Sequence, residues 1–259
     1  MLLAIDIGNT NITIGGIKDD QIVFEARIAT DRIKTSDQYG ADIKNMLNLF
    51  DVKVEDIKDC IIASVVPPVF NAVRTGAVKA IGKQPMVVGP GIKTGLNIQV
   101  DNPSQVGSDR IVIAVAALAE YKPPLALMDL GTATTIEIVD DNCTYIGGCI
   151  LPGVRVSLDA LTSRTSQLPG INLDQPKRVI GKNSVDCMLS GIMHGSAGML
   201  EVLGERMEEE LGYKTTVIAT GGIAQFIVPL CKRDIKLERD LLLKGLNIIY
   251  KKNMQDKHR

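Results

Sequence analysis

The chain has 259 residues, 45% of them apolar, with 29 basic side chains against 30 acidic ones and no tryptophan. A net charge of -1 gives no basic surface for nucleic acid, and with aromatics at only 3% the core must be built from Ile, Val and Leu. No apolar run approaches the roughly 20 residues that cross a bilayer. The longest, Ile111 to Ala119, reads as a buried helix.

Taken in order, 2–7, 10–17 and 21–28 read as strands, with Asp19-Asp20 as the hairpin between the last two. A helix is predicted over about 36–50, where Tyr39, Ile43, Met46, Leu47 and Phe50 form an apolar stripe. A strand over 60–65 stops at Pro67-Pro68, and a helix over 69–81 and a short strand over 86–88 follow. Residues 89–107 are broken by glycine and proline and rich in polar groups, which marks a binding loop. A helix over 108–121 then leads to Lys122-Pro123-Pro124, a boundary between two halves of about 130 residues.

The second half repeats the strand order over 125–129, 134–139 and 143–150, with Asp141-Asn142 as its hairpin turn. Helices are expected over 154–161 and 184–211, the latter carrying Gly191, Gly195 and Gly198 for close approach to a neighbour. A strand over 215–219 turns through Thr220-Gly221-Gly222 into a helix reaching about Leu230, and a last helix spans 238–251. The polar tail from Lys251 to Arg259 is expected to fray. The domains expected are therefore 1–121 and 122–259.

The most telling feature is a repeat. Leu3-Ala4-Ile5-Asp6-Ile7-Gly8-Asn9-Thr10 returns as Ala126-Leu127-Met128-Asp129-Leu130-Gly131-Thr132, with the two aspartates and the two glycines separated by the same length of chain. Each copy offers backbone amides, hydroxyls and a carboxylate, the groups that hold phosphates and a metal ion. Asn9, Thr10 and Asn11 add donors in the first copy, and Thr132, Thr134 and Thr135 in the second. Either turn alone could be an ordinary hairpin; the aligned pair points to a nucleotide-dependent phosphotransferase. Neither a Walker A loop nor a GxGxxG fingerprint is present. The fold that accounts for the repeat is α/β, of the actin, Hsp70 and sugar-kinase type, with nucleotide between two ribonuclease-H-like domains.

Gly107-Ser108-Asp109-Arg110 opens a helix directly after the irregular loop. Asp109 could simply favour the helix start, or could accept the proton of an attacking hydroxyl while Arg110 steadies an anion. Thr220-Gly221-Gly222 could admit an adenosine ring, and Thr165 could donate to substrate; plain loop packing is the alternative for both. Five cysteines without a CxxC pair fit reduced thiols in the cytosol, and the histidines, His194 and His258, give them no obvious base. The chain enters a strand at once, so no secretory leader is expected.

In their joint order these residues resemble the type III pantothenate kinases. The resemblance runs through Asp6-Ile7-Gly8-Asn9-Thr10-Asn11, Ser64-Val65-Val66-Pro67-Pro68, Thr94-Gly95-Leu96-Asn97 and Asp101-Asn102-Pro103. It continues through Gly107 to Arg110, Asp129 to Thr135, Gly147-Gly148, Ile150 to Gly153, Arg164 to Pro169, Gly181 to Ser184 and Thr220 to Gly222. It implies ATP-dependent phosphorylation of pantothenate, the first step of coenzyme A synthesis. It further implies a cytoplasmic homodimer that uses Mg²⁺ and a monovalent cation, K⁺ or NH₄⁺.

By this resemblance Asp6, Ile7, Gly8, Asn9, Thr10, Asn11, Ile12 and Thr13 surround the nucleotide phosphates, joined by Thr132, Gly221 and Gly222. Asp129 and Asp6 are the cation ligands and Asp109 the general base. Val100, Gly107, Ser108, Asp109, Arg110, Thr165 and Ser184 line the acceptor site. Three positions depart from the family's pattern: Val100 replaces a usual tyrosine, Ile113 a usual asparagine and Ser184 a usual threonine. These departures leave open a paralogous kinase with an altered or weakened acceptor preference. A non-enzymatic, actin-like nucleotide-binding regulator is the alternative from another class.

Overall fold

The computed structural model describes residues 1–257, and their side chains as far as 255. In chain order the elements are β1 (Leu2–Ile7), β2 (Asn11–Lys18), β3 (Gln21–Ala29), α1 (Ser36–Leu49), β4 (Asp59–Ser64), α2 (Pro67–Ile81), β5 (Met86–Val87) and β6 (Asn97–Ile98). Then come α3 (Ser108–Glu120), β7 (Leu125–Leu130), β8 (Ala133–Val139), β9 (Thr144–Pro152), α4 (Val154–Ser163) and α5 (Ser184–Leu211). The chain closes with β10 (Thr216–Thr220), α6 (Ala224–Ile227), β11 (Lys236–Leu237) and α7 (Leu241–Lys257). Two compact units result: 1–96 with 101–119 and the chain from Asp240 onwards, and 97–100 with 120–239.

In the first unit the sheet order is β3-β2-β1-β4-β5, with β1–β2 and β2–β3 antiparallel and β1–β4 and β4–β5 parallel. Alternation along β1 sends Leu3, Ile5 and Ile7 into a core with Tyr39, Ile43 and Leu47 of α1 and Val69 and Val73 of α2. Leu2 and Ala4 enter a second core with Val112 and Val115 of α3 and Leu243, Leu246 and Ile249 of α7. Asp6, two residues beyond Ala4, therefore projects from the face that α3 and α7 cover. Helix α1 starts at a capping box between Thr35 and Gln38.

The second unit has the order β11-β10-β7-β8-β9-β6, with β7–β8 and β8–β9 antiparallel and β7–β10 and β10–β11 parallel. Leaving out β6, the strand that ends in an aspartate holds the same central place in both sheets. Ala126, Met128 and Leu130 pack on Val154 of α4 and on Met193, Ala197 and Leu200 of α5.

Several expectations are corrected. The last helix returns to the first unit, packing on β1 and β4, so the chain after 122 does not all belong to the second. It starts at Leu241 and runs through Lys257, so most of the tail expected to fray is helical; His258 and Arg259 lie outside the described residues. Pro67 and Pro68 form the first turn of α2 instead of preceding it, where their missing amides cost no hydrogen bond. The helix expected to reach Leu230 shortens to α6, because Pro229 follows in a 3₁₀ turn. At Gly191, Gly195 and Gly198 no atom lies within 4 Å of an added Cβ, so the expected close approach is not made among the described residues.

Candidate active site

In the first unit, β1 ends with Asp6 only 6% exposed. The turn to β2 is closed by the Gly8 amide donating to the Asn11 carbonyl at 3.0 Å. The end of β3 pins it: Thr30 Oγ1 donates to the Gly8 carbonyl at 2.6 Å and the Thr30 amide to that of Thr10 at 3.0 Å. Asn9, Thr10 and Asn11 are exposed at the tip. Ile7 and Ile12 are fully buried in the core, so they can offer a ligand backbone groups only. Thr13 pairs directly opposite Asp6 and shares its face.

Parallel to β1, β4 brings Ser64 beside Ile7. The start of α3 is fixed there: Ser108 Oγ accepts from the Ser64 amide at 3.1 Å and donates to the Ser64 carbonyl at 3.0 Å. The next residue, Asp109, accepts at Oδ1 from the Arg110 amide at 2.8 Å. A Cβ at Gly107 would stand 2.5 Å from that same oxygen and 3.3 Å from Val65 Cγ1, so only glycine leaves the carboxylate its place. Burial pushes the Asp109 carboxyl above the ordinary carboxylate range, a rise the Arg110 amide and guanidinium offset only in part. A half-buried carboxylate of raised basicity at a helix start has the character of a general base.

The second unit repeats the turn. The Gly131 amide donates to the Ala133 carbonyl at 3.0 Å, and the Gly153 amide, just before α4, donates to the Thr132 carbonyl at 3.1 Å. Thr132 is exposed, Thr134 and Thr135 are buried, and Thr135 pairs opposite Asp129. Gly221 takes a φ of +95°, and a Cβ there would lie 2.5 Å from Asp129 Oδ1 and 2.6 Å from the Leu130 carbonyl. The Gly221-Gly222 turn is thus folded directly over Asp129.

The remaining sequence candidates stand elsewhere in the fold. Val100 follows β6, its Cγ1 4.0 Å from where a Gly147 Cβ would be. Thr165 is exposed after α4 and spends its hydroxyl hydrogen on the Leu161 carbonyl at 2.9 Å. Ser184 is the exposed first residue of α5, behind the N-cap Asn183. Ile113 is 3% exposed on α3, so the side chain that departs from the family pattern is a packing residue. Among the described residues no three His, Cys, Asp or Glu side chains gather as a metal centre. Mg²⁺ on a nucleotide takes one or two carboxylates besides phosphates and water, and the turn of each unit offers one aspartate of its own, Asp6 in the first and Asp129 in the second.

A depression of the second unit, about 720 Å³, is lined by Glu208, Lys214, Thr215 and Arg233, near the start of β10 and away from its Thr220 end. Burial alone would raise the Glu208 carboxyl, but hydrogen bonds from Arg233, Lys214 and Thr215 outweigh it and bring it down to about 2. Those bonds make it a structural ion cluster.

Sequence reasoning missed Thr30, whose link to Gly8 spans a hairpin and leaves no local signal. It also missed the buried Glu137, which accepts from the Tyr145 hydroxyl. A lone charge inside the apolar run Ile136 to Val139 was the available clue.

Residues 2–206 match the family model described as type III pantothenate kinase. A type III pantothenate kinase from an Exiguobacterium species is 43% identical over 98% of this chain and 100% of its own length. One from Moorella thermoacetica is 42% identical over 98% and 100%. Among solved structures, the activator of the 2-hydroxyisocaproyl-CoA dehydratase from Clostridium difficile, with bound ADPNP, superposes with a TM-score of 0.53. It is 13% identical and is covered over 97% of its length, against 100% of this chain, a likeness of fold. The α/β fold is shared with these solved structures, among them component A of the Acidaminococcus fermentans (R)-2-hydroxyglutaryl-CoA dehydratase at a TM-score of 0.55 and 16% identity over 96% of each chain.

Proposed function

The chain belongs to the type III pantothenate kinase family and phosphorylates pantothenate to 4'-phosphopantothenate, entering coenzyme A biosynthesis; from that premise we propose that Asp109 is its general base. The observation that carries this assignment is the half-buried, partly desolvated carboxylate, held beside Arg110 and given room by Gly107 at the start of α3. ATP is the donor. Asp109 takes the proton of the acceptor's primary hydroxyl as its oxygen attacks the γ-phosphorus, and ADP leaves with the bridging electron pair. Transfer is direct, with no covalent enzyme intermediate.

The Asp6 to Thr13 turn offers its exposed donors to the phosphates, with Ile7 and Ile12 contributing backbone alone. Thr132 and the Gly221-Gly222 turn are the nucleotide contacts of the second unit in this reading; that a structure of like fold holds ADPNP supports a nucleotide on this fold. Asp6 and Asp129 would hold Mg²⁺ and the monovalent cation, whose charge offsets that developing on the phosphoryl oxygens. Arg110 and Gly107 belong to the acceptor pocket, with Val100, Thr165 and Ser184 as further candidates. Both units are ribonuclease-H-like, a reading supported by the strand order they share. The resemblance extends the proposal to a cytoplasmic homodimer.

Asp109→Asn tests the assignment: ATP binding should persist while kcat falls by about 10²–10⁴. A near-normal kcat would remove Asp109 as base. Turnover compared across pantothenate, pantetheine and simple hydroxy acids tests the acceptor, and equal rates on all would overturn a pantothenate-selective pocket.

A further inference from the structure

We propose that Ser108 is a positioning residue for Asp109, its hydroxyl standing in for the strand neighbour that β4 lacks at Ser64. The proposal rests on Asp109 being the base. Along a strand, successive residues turn their amide and carbonyl to opposite sides. The Val65 amide points to β1 and donates to Ile7 at 3.1 Å, while the Ile62 carbonyl points to β5 and accepts from Val88 at 2.8 Å. Ser64, two residues after Ile62, faces the β5 side, where β5 has already ended at Val87. One hydroxyl then does what a strand would do, accepting from the Ser64 amide and donating to the Ser64 carbonyl.

Two consequences follow for the chemistry. The Ser108 hydroxyl hydrogen is spent on backbone, so this side chain, counted among the acceptor ligands from sequence, has no hydrogen left to donate to pantothenate. The first turn of α3 is tied through Ser64 to the ladder that also presents Asp6, so Asp109 is located by the central sheet and not by the irregular loop before it. Ser64 Oγ extends the chain of contacts, accepting from the Val66 amide at the start of α2 at 3.1 Å. Alanine at 108 would leave the Ser64 amide and carbonyl without this partner and let the first turn of α3 shift.

The experiment pairs Ser108→Ala with Ser108→Thr, each alone and in an Asp109→Asn background, measuring kcat, the KM values and the pH dependence of kcat/KM. Ser108→Ala should lower kcat by about 10- to 100-fold, the loss that a small misplacement of a catalytic group produces. Its acid limb should move towards the ordinary carboxylate range as Asp109 becomes better hydrated, and Ser108→Thr should restore both. In the Asp109→Asn background Ser108→Ala should cost nothing more, because the group it positions is gone.

An unmoved acid limb, or an equal loss with Asp109 present and absent, would overturn the proposal. If Ser108→Ala does not fold, Ser108→Cys keeps the shape with a much weaker donor and acceptor and takes its place in every arm. Should Asp109→Asn itself retain activity, the assignment of the base fails, an outcome separate from an inactive Asp109→Asn enzyme with an unaffected Ser108→Ala.

Discussion

The two glycine turns share a topology and differ in what lies over their aspartates. In the second unit, β10 runs beside β7 and gives way to Gly221, whose missing side chain lets the backbone close over Asp129. In the first, β4 runs beside β1 and ends in Ser64, whose backbone is occupied by the Ser108 hydroxyl. Asp6 is buried where Asp129 is half-buried. From one strand order, the first unit has acquired a helix start bearing a basic carboxylate. The second has acquired a glycine turn folded over its aspartate.

The sharpest way to break this contrast is Asp109→Asn, with the loss of kcat already stated. Next in size is Gly221→Ala. Its Cβ would meet Asp129 Oδ1 and the Leu130 backbone while the residue is held at positive φ. We expect a loss of about 1–3 kcal/mol in stability and a raised KM for ATP. Wild-type melting and an unchanged KM would show that the turn over Asp129 is not closed in solution.

A third effect is of opposite sign. Burial raises the folded-state pKa of Asp109 above its unfolded value, so its contribution to stability is fully present below the ordinary carboxylate pKa. That contribution is lost as pH rises through the raised value. Asp109→Asn cannot ionise and should therefore melt above wild type at pH 7, the difference shrinking on acidification. Equal melting at both pH values would argue against a costly, partly desolvated charge. The smallest effect is Ser64→Ala, which removes the acceptor of the Val66 amide and should cost about 1 kcal/mol. A loss several times larger would mean that the side chain of Ser64, and not only its backbone, holds the α3 start.

The repeat, the hairpins and Asp109 at a helix start were legible because each is written in adjacent residues. Tertiary partners were not. Ser108 looked like a pocket residue because its two partners are backbone atoms 44 positions away. Strand β6 is two residues long, too short for alternation to reveal, yet it carries the segment before Val100 to β9. Helix α7 was assigned by position to the nearer half, whereas its partners are distant. Asn247 donates to Asp20, the Tyr250 hydroxyl to Asp59, and Asn253 to the Lys93 carbonyl. Its apolar residues face Leu2 and Ala4, a pairing no local pattern could announce.

That return of the chain bears on how the protein is made. From Glu120 to Arg239 the second unit is one unbroken stretch, whereas the core of the first joins Leu2 and Ala4 to Leu243, Leu246 and Ile249. On the ribosome that face of the first strand would wait, covered by α3 alone, until nearly all of the message had been read. A stop codon just before Leu241 should therefore yield a truncated product whose amino-terminal half is readily digested by protease while its middle resists.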